Sequence, residues 1–253
     1  MNRIKNKLSS KNKILSIYFS AGFPNINDTK TLIEYLEKNG VDMIEIGLPF
    51  SDPLADGPVI QASSTQALKN GMTTELLFNQ IANIRKSVTI PLIIMGYFNP
   101  ILQYGVENFC KKCSEIGIDG LIIPDLPLEI YLSEYKKLFE SHGIAMIFLI
   151  TPQTSEERIR IIDANSDAFI YMVSSSSVTG SKDSFDQSQI DYFKRIAAMN
   201  LKNPQIVGFG ISNKTTLQQA TKYQKGAIIG SSFIQYISKN GISNIKIFID
   251  NLL

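Results

Sequence analysis

A chain of 253 residues suits one large domain or two small ones, and is long enough to bury about three quarters of its unfolded surface. With 44% hydrophobic and 19% charged residues, no Trp and a net charge of +2, it has the make-up of a soluble globule, and nothing in that balance asks for nucleic acid. The longest unbroken apolar run, residues 144–150, is far too short to span a membrane or act as a signal core, so a soluble compartment is expected; a bacterial cytoplasm and a plastid stroma would both suit.

Residues 1–13 carry five positive charges and resemble a targeting arm. Ile4 and Leu8 stand four apart, however, which predicts a short extra helix with one apolar stripe, and a strand follows at once, leaving no removable segment. Residues 14–21 form the first strand, ending in Gly22-Phe-Pro24, and Asp28 then caps a helix carrying Leu32, Ile33, Tyr35 and Leu36 at helical spacing. Residues 41–47 read as a second strand covered on both faces, with Glu45 inside it. Burying an ionised carboxylate is costly unless it is paired or stays protonated, so packing alone would place Val or Ile at that position. Pro49, Pro53 and Pro58 stiffen the loop that follows, which brings in Asp52 and Asp56.

Helices are predicted over 59–69 and 73–86, the second with Leu76, Leu77, Ile81 and Ile84 inward. The third strand is 91–96 and its helix 106–116. Cys110 and Cys113 in that helix have the spacing of a redox pair or half a zinc site. No second Cys or His pair completes a metal site, and residues three apart share a helix face, so a structural role and a reducing compartment are expected. Strand four, 118–124, leads through Asp125 into a helix over 128–141, where His142 meets the helix end or solvent. Strand five is 144–151, with its helix over 155–163. Strand six, 168–174, opens a serine-rich loop to Lys182, long enough to fold over a ligand as a lid, before a helix over 187–199. Strand seven is 205–208, with a helix over 213–223, and strand eight is 226–230, with helices to 253.

Eight near-equal strand–helix units without a linker predict an α/β fold, a single (β/α)8 TIM barrel over residues 1–253; an open doubly wound sheet is the alternative, but no Gly-x-Gly-x-x-Gly follows the first strand. Barrel chemistry gathers at the carboxyl ends of the strands, which selects Glu45, Asp52, Asp56, Tyr97, Asn99, Asp125, Tyr171 and Thr179 and passes over His142. Gly208-Phe-Gly-Ile-Ser-Asn213 and Gly230-Ser-Ser232 follow strands seven and eight, where backbone N–H groups and helix amino ends hold phosphate; tight turns would account for the same glycines.

A phosphate grip beside carboxylates invites aldolase or isomerase chemistry. Schiff-base catalysis needs a buried Lys, and no strand contains one. Metal-dependent aldol chemistry needs ligand clusters, and a single His off the active face argues against a metal. General acid/base catalysis remains: burial should raise the pKa of Glu45 so that it delivers a proton, while Asp56 stays ionised in its loop. The bland alternative is that the three carboxylates only tie the loop down, and for Asp52 the two readings stand level.

Ile44-Glu-Ile-Gly-Leu-Pro-Phe-Ser-Asp-Pro-Leu-Ala-Asp-Gly-Pro-Val-Ile-Gln61 resembles the diagnostic motif of the tryptophan synthase alpha chain family. Residues 91–100, Ile122-Ile-Pro-Asp-Leu-Pro127, Leu149-Ile-Thr-Pro152, Val178-Thr-Gly180 and Gly208-Phe-Gly-Ile211 follow in the family's order, so the likeness covers nearly the whole chain. The resemblance implies a (β/α)8 barrel that cleaves indole-3-glycerol phosphate to indole and glyceraldehyde 3-phosphate in tryptophan biosynthesis, with no cofactor of its own. It also implies an α2β2 heterotetramer whose beta chain carries pyridoxal phosphate and receives indole through a tunnel. By motif, Glu45 would be the acid/base that protonates indole C3 and helps remove the hydroxyl proton. Asp56 would meet the indole N–H, on a loop that orders with substrate and the Thr179 lid. Tyr171, Tyr97, Phe209 and Tyr18, which takes a place the family often gives to Phe, would contact substrate. Gly180, Gly210, Gly230 and Ser231 would grip phosphate, and Asp52, Asn99 and Tyr104 would face the beta chain. One departure is Ser177, where the family commonly has Gly; if that position needs positive φ, Ser is strained there and lid closure is weakened. Two other readings stay open, another phosphate-binding barrel such as a sugar-phosphate isomerase, and a mainly non-catalytic subunit that activates its beta chain.

Overall fold

The computed structural model describes residues 2–174 and 184–253; Ser177, Thr179 and Gly180 of the serine-rich loop lie outside the described residues. Eight parallel strands close into a barrel in chain order: β1 (Ile14–Ser20), β2 (Met43–Gly47), β3 (Leu92–Met95), β4 (Gly120–Ile122), β5 (Ala145–Ile150), β6 (Ile170–Val173), β7 (Gln205–Gly208) and β8 (Gly226–Ile229). Pairing of Ile14 with Gly226 seals the ring, so the closed form prevails over the doubly wound sheet. The strands are apolar at both parities because each parity is buried differently. Ile17, Phe19, Ile44 and Ile46 pack under the surrounding helices, while Met43, Ile93, Ile122, Ile147, Ile206 and Ile228 fill the interior. Glu45 shares the interior parity with Met43, and its register partners are Tyr18 on β1 and Ile93 on β3.

The predicted helices form, with most ends moved by a residue or two. Asp28 is the first residue of its helix, Asp28–Lys38, and its carboxylate accepts from the Asn25 N–H at 3.1 Å instead of capping the helix. The 73–86 segment divides into a helix, Thr74–Ile81, and a 3-10 turn, Ile84–Lys86. A helix that the sequence reading lacked, Phe98–Tyr104, follows β3; Pro100 lies in its first turn, where a missing N–H costs no intrahelical bond. The 128–141 helix carries a wide π turn over Tyr131–Tyr135. Cys110 and Cys113 are buried, unpaired thiols on the core face of Val106–Ile116, and burial pushes the Cys110 thiol up to about 12, which suits packing and not redox work.

The amino-terminal helix, Arg3–Ser10, plugs the floor of the barrel. Asn2 caps it by accepting from the Ile4 N–H at 2.8 Å, and Ile4 and Leu8 pack into the interior. β4 makes room for the plug with Gly120, where an added Cβ would fall 3.0 Å from Ile4 Cδ1. Three of the basic residues that resemble a targeting arm, Arg3, Lys7 and Lys11, pair instead with buried carboxylates at the floor. Lys11 Nζ lies 2.5 Å from Asp42, and Arg3 lies 3.1 Å from Asp119. Asp119 also meets Arg85 at 2.6 Å and accepts from the Leu92 N–H at 3.0 Å, so one carboxylate ties the plug, β3 and β4 together. Removing it would strand Arg85 among buried groups without a counter-charge. Asp119→Ala should therefore cost about 3 kcal/mol of stability, read from the midpoint of urea unfolding, while Lys5→Ala, whose pair with Asp167 is half exposed, should cost less than about 1 kcal/mol.

Candidate active site

At the carboxyl ends of the strands lies a cleft of about 770 Å³, counted out to its mouth, lined by Tyr18, Asp56, Met95, Tyr171, Phe209 and Ser231 among others. Glu45 stands beside Tyr18 on the neighbouring strand, wholly buried. The Ser16 hydroxyl donates to its Oε1 at 3.1 Å, and Oε2 has no protein partner. Burial outweighs that single hydrogen bond and raises the Glu45 carboxyl to about 8, in the direction expected of an acid enclosed by apolar side chains. Tyr18 and Tyr171 flank it as neutral phenols, their hydroxyls pushed up by burial and by the nearby carboxylates. Each phenol needs a glycine opposite: a side chain at Gly47 or Gly208 would overlap the hydroxyl of Tyr18 or Tyr171.

Asp56 belongs to the loop after β2, and three side chains from two other elements hold that loop in shape. Ser64 both donates to the Phe50 carbonyl and accepts from its N–H, each at 3.0 Å. Gln61 donates to the Asp56 carbonyl at 2.9 Å. The Tyr97 hydroxyl accepts from the Ala55 N–H at 2.8 Å and donates to Asp56 Oδ2 at 3.3 Å. Burial raises the Asp56 carboxyl to about 6, with Tyr97 opposing the rise, so near neutral pH Asp56 is ionised and Glu45 protonated.

The far end of the cleft suits an anion. Phe209 and Gly210, just beyond β7, line this end of the cleft and both have positive φ (67° and 72°). Gly230 opens the helix Ser231–Asn240, whose first turn lacks a side-chain cap and carries the positive end of the helix dipole. Among the described residues no Lys or Arg lines the cleft.

Glu45, Asp56, Tyr18, Tyr171, Phe209, Gly210, Gly230 and Ser231 thus come together, with Tyr97 in an adjoining pocket against Asp56. Thr179 and Gly180 lie outside the described residues. Asp52, Asn99 and Tyr104 stand apart on the rim: Asp52 takes a hydrogen bond from Ser51, and the Tyr104 hydroxyl donates to Glu75 at 3.0 Å. Asp125 accepts from the Phe98 N–H at 2.9 Å, joining the loop after β4 to the first residue of the helix after β3. His142 Nδ1 lies 2.9 Å from the Leu138 carbonyl, away from the cleft. The sequence reading missed Met95, Ile60 and Ile211, which line the cleft, and Ser16. Ser16 had a legible signal, since Ser16, Tyr18 and Ser20 alternate polar atoms into one face of an otherwise apolar strand. Among the described residues no cluster of His, Cys, Asp and Glu could hold a metal ion, and no helix is long and apolar enough to cross a membrane.

A carboxyl raised from 4.5 to about 8 binds a proton in the folded state that the unfolded chain has released. Its stabilising share is therefore complete below the unfolded value and is lost as pH rises through about 8. Glu45→Gln, neutral at every pH, should melt at least about 3 °C above the parent at pH ~9, with a smaller difference at pH ~5, in thermal unfolding followed by circular dichroism.

Residues 4–251 match the family model described as tryptophan synthase alpha chain. The tryptophan synthase alpha chain of Flavobacterium psychrophilum is 70% identical over 252 residues, covering 100% of both chains. That of Bacteroides thetaiotaomicron is 57% identical over 240 residues, 94% of each chain. Among solved structures, tryptophan synthase subunit alpha from Legionella pneumophila superposes with a TM-score of 0.89 at 32% identity, covering 100% of this chain and 97% of that one. The A-subunit from Pyrococcus furiosus gives 0.86 at 29% identity, covering 95% and 97%. The barrel, its order of motifs and these relatives agree over the full length, and the chain belongs to the tryptophan synthase alpha chain family.

Proposed function

We propose that Glu45 and Asp56 divide between them the reaction of this lyase family, the retro-aldol cleavage of indole-3-glycerol phosphate to indole and glyceraldehyde 3-phosphate. The observation that carries the assignment is the placing of Glu45, fully buried beside Tyr18, behind a cleft that Tyr18 and Asp56 both line; burial raises both carboxyls, Glu45 to about 8 and Asp56 to about 6, which separates their roles near neutral pH. Glu45 delivers its proton to C3 of the indole ring, which leaves an iminium at the ring nitrogen. Asp56 accepts the indole N–H hydrogen bond and stabilises that positive charge. Loss of the proton from the neighbouring glycerol hydroxyl, with the ionised Glu45 as base, forms the aldehyde carbonyl. The carbon–carbon electron pair returns to the ring and restores its aromaticity.

Tyr18, Met95 and Tyr171 form the walls for the indole, and Gly210, Gly230 and Ser231 hold the phosphate through backbone N–H groups and a helix amino end. The whole chain acts as one (β/α)8 domain. The rim around Asp52, Asn99 and Tyr104 faces a beta chain in an α2β2 complex; Leu54, on the loop with Asp52, and Leu102, on the helix with Asn99 and Tyr104, are 91% and 52% exposed and supply apolar contact area. Pyridoxal phosphate belongs to that partner, in keeping with the lack of lysine on the eight strands of this barrel. The compartment is the cytoplasm.

Indole release from indole-3-glycerol phosphate, measured with and without a beta chain, tests the reading. The parent should be active, and Glu45→Gln and Asp56→Asn should each lose at least about 100-fold in kcat. Activity needs Asp56 ionised and Glu45 protonated, so kcat/KM should rise through about pH 6 and fall through about pH 8. No indole release in either condition would remove the lyase assignment, and release that survives Glu45→Gln would remove Glu45 as the acid.

A further inference from the structure

Glu45 has two carboxyl oxygens, and the barrel treats them differently. Ser16, itself fully buried on the interior face of β1, places its hydroxyl 3.1 Å from Oε1. Oε2 is enclosed and has no protein partner. Among the described residues Ser16 makes the side-chain hydrogen bond to this carboxyl; Ile93 on β3 is apolar, and the neutral phenols of Tyr18 on β1 and Tyr171 on β6 are the titratable groups near enough to feel its charge, with Asp56 acting on those phenols from the loop beyond. No cation is among these groups.

A serine hydroxyl can donate to an ionised carboxylate, which only accepts. When the carboxyl takes up a proton, the same hydrogen bond survives only if that proton goes to the other oxygen. Protonation on Oε1 would reverse the bond and turn the Ser16 hydrogen into a dry apolar wall, at the cost of an unmet donor. We propose that Ser16 is a positioning residue for proton transfer, holding Oε1 as the acceptor through both protonation states, so that the proton exchanged with substrate is always the one on Oε2. The inference rests on the reading of Glu45 as the acid/base. Its value to the reaction is that one rotamer and one oxygen serve both the delivery of the proton and the later removal of another, with no rearrangement between.

A donor to Oε1 also favours the charged form, so Ser16 opposes the effect of burial and limits how far the acid is raised. Ser16→Ala removes the donor with little change in volume. The test is the pH profile of indole release from indole-3-glycerol phosphate by the complex with a beta chain, in the parent, Ser16→Ala, Ser16→Thr and Glu45→Gln. Ser16→Ala should lower kcat about tenfold near neutral pH with KM within about twofold, and should move the alkaline limb of kcat/KM upward by about half a pH unit or more. Ser16→Thr, which keeps a hydroxyl, should return the limb toward the parent. A thermal midpoint for Ser16→Ala within about 3 °C of the parent identifies the loss as one of chemistry and not of folding.

An unmoved limb in Ser16→Ala overturns the proposal, whether or not kcat falls, and leaves Glu45 as the acid if Glu45→Gln is inactive. A folded Ser16→Thr whose limb stays with Ser16→Ala overturns it as well. Activity that survives Glu45→Gln overturns the reading of Glu45, and the role of Ser16 with it.

Discussion

The desolvation of Glu45 is the constraint on which the rest of this molecule turns. A carboxyl is raised to about 8 only where water is kept from it, and a barrel open at its floor would not do that. The walls come from the interior parity of the strands, Met43, Ile93 and Ile122 among them. The floor comes from Ile4 and Leu8, delivered by a helix that no strand-counting argument would require. The ion pairs of Asp42 and Asp119 at that floor are thus coupled to the chemistry at a distance: they hold the plug, the plug excludes water, and the exclusion of water keeps a proton on Glu45.

Two carboxylates of the same sequence motif acquire different work because they belong to parts of different stiffness. Glu45 is fixed within a hydrogen-bonded ladder on both sides, β1 and β3. Asp56 is carried by a loop whose shape depends on side-chain contacts from Tyr97, Gln61 and Ser64, three residues on two other elements. The first can keep one geometry through a reaction. The second is placed where a ligand can alter it, and it lies next to the exposed Leu54 on the face assigned to a partner.

Much of this was legible in the sequence because it depends on local pattern. Eight alternations of apolar run and amphipathic helix leave little but a closed barrel, and a Glu within such a run announces a buried acid whatever its neighbours are. The direction of its pKa followed from burial alone. What stayed hidden depends on contacts between residues far apart in the chain. Ser16 lies 29 positions from Glu45, and nothing local says that their side chains meet. Ile4 as a floor requires knowing that β4 presents Gly120 beneath it. The helix Phe98–Tyr104 stayed hidden for a different reason: it is seven residues long with only Ile101 buried, too short to show an apolar period. Asp28 misled because an acid near a helix start can serve the loop before it as readily as the helix.

The floor plug also bears on how the chain reaches its native state. Arg3 and Asp119 are separated by 116 positions, and Asn2 donates across a similar gap to the Asp119 carbonyl at 2.7 Å. During synthesis the plug helix emerges well before the strand that receives it, with Ile4 and Leu8 facing solvent and its lysines unpaired. Such a short, strongly cationic helix gains little from forming alone. Its place therefore depends on walls supplied by distant parts of the chain, whose closure must be met in entropy before the plug's contacts repay it, and the dry interior that the chemistry needs is a property of the whole barrel and of no segment alone.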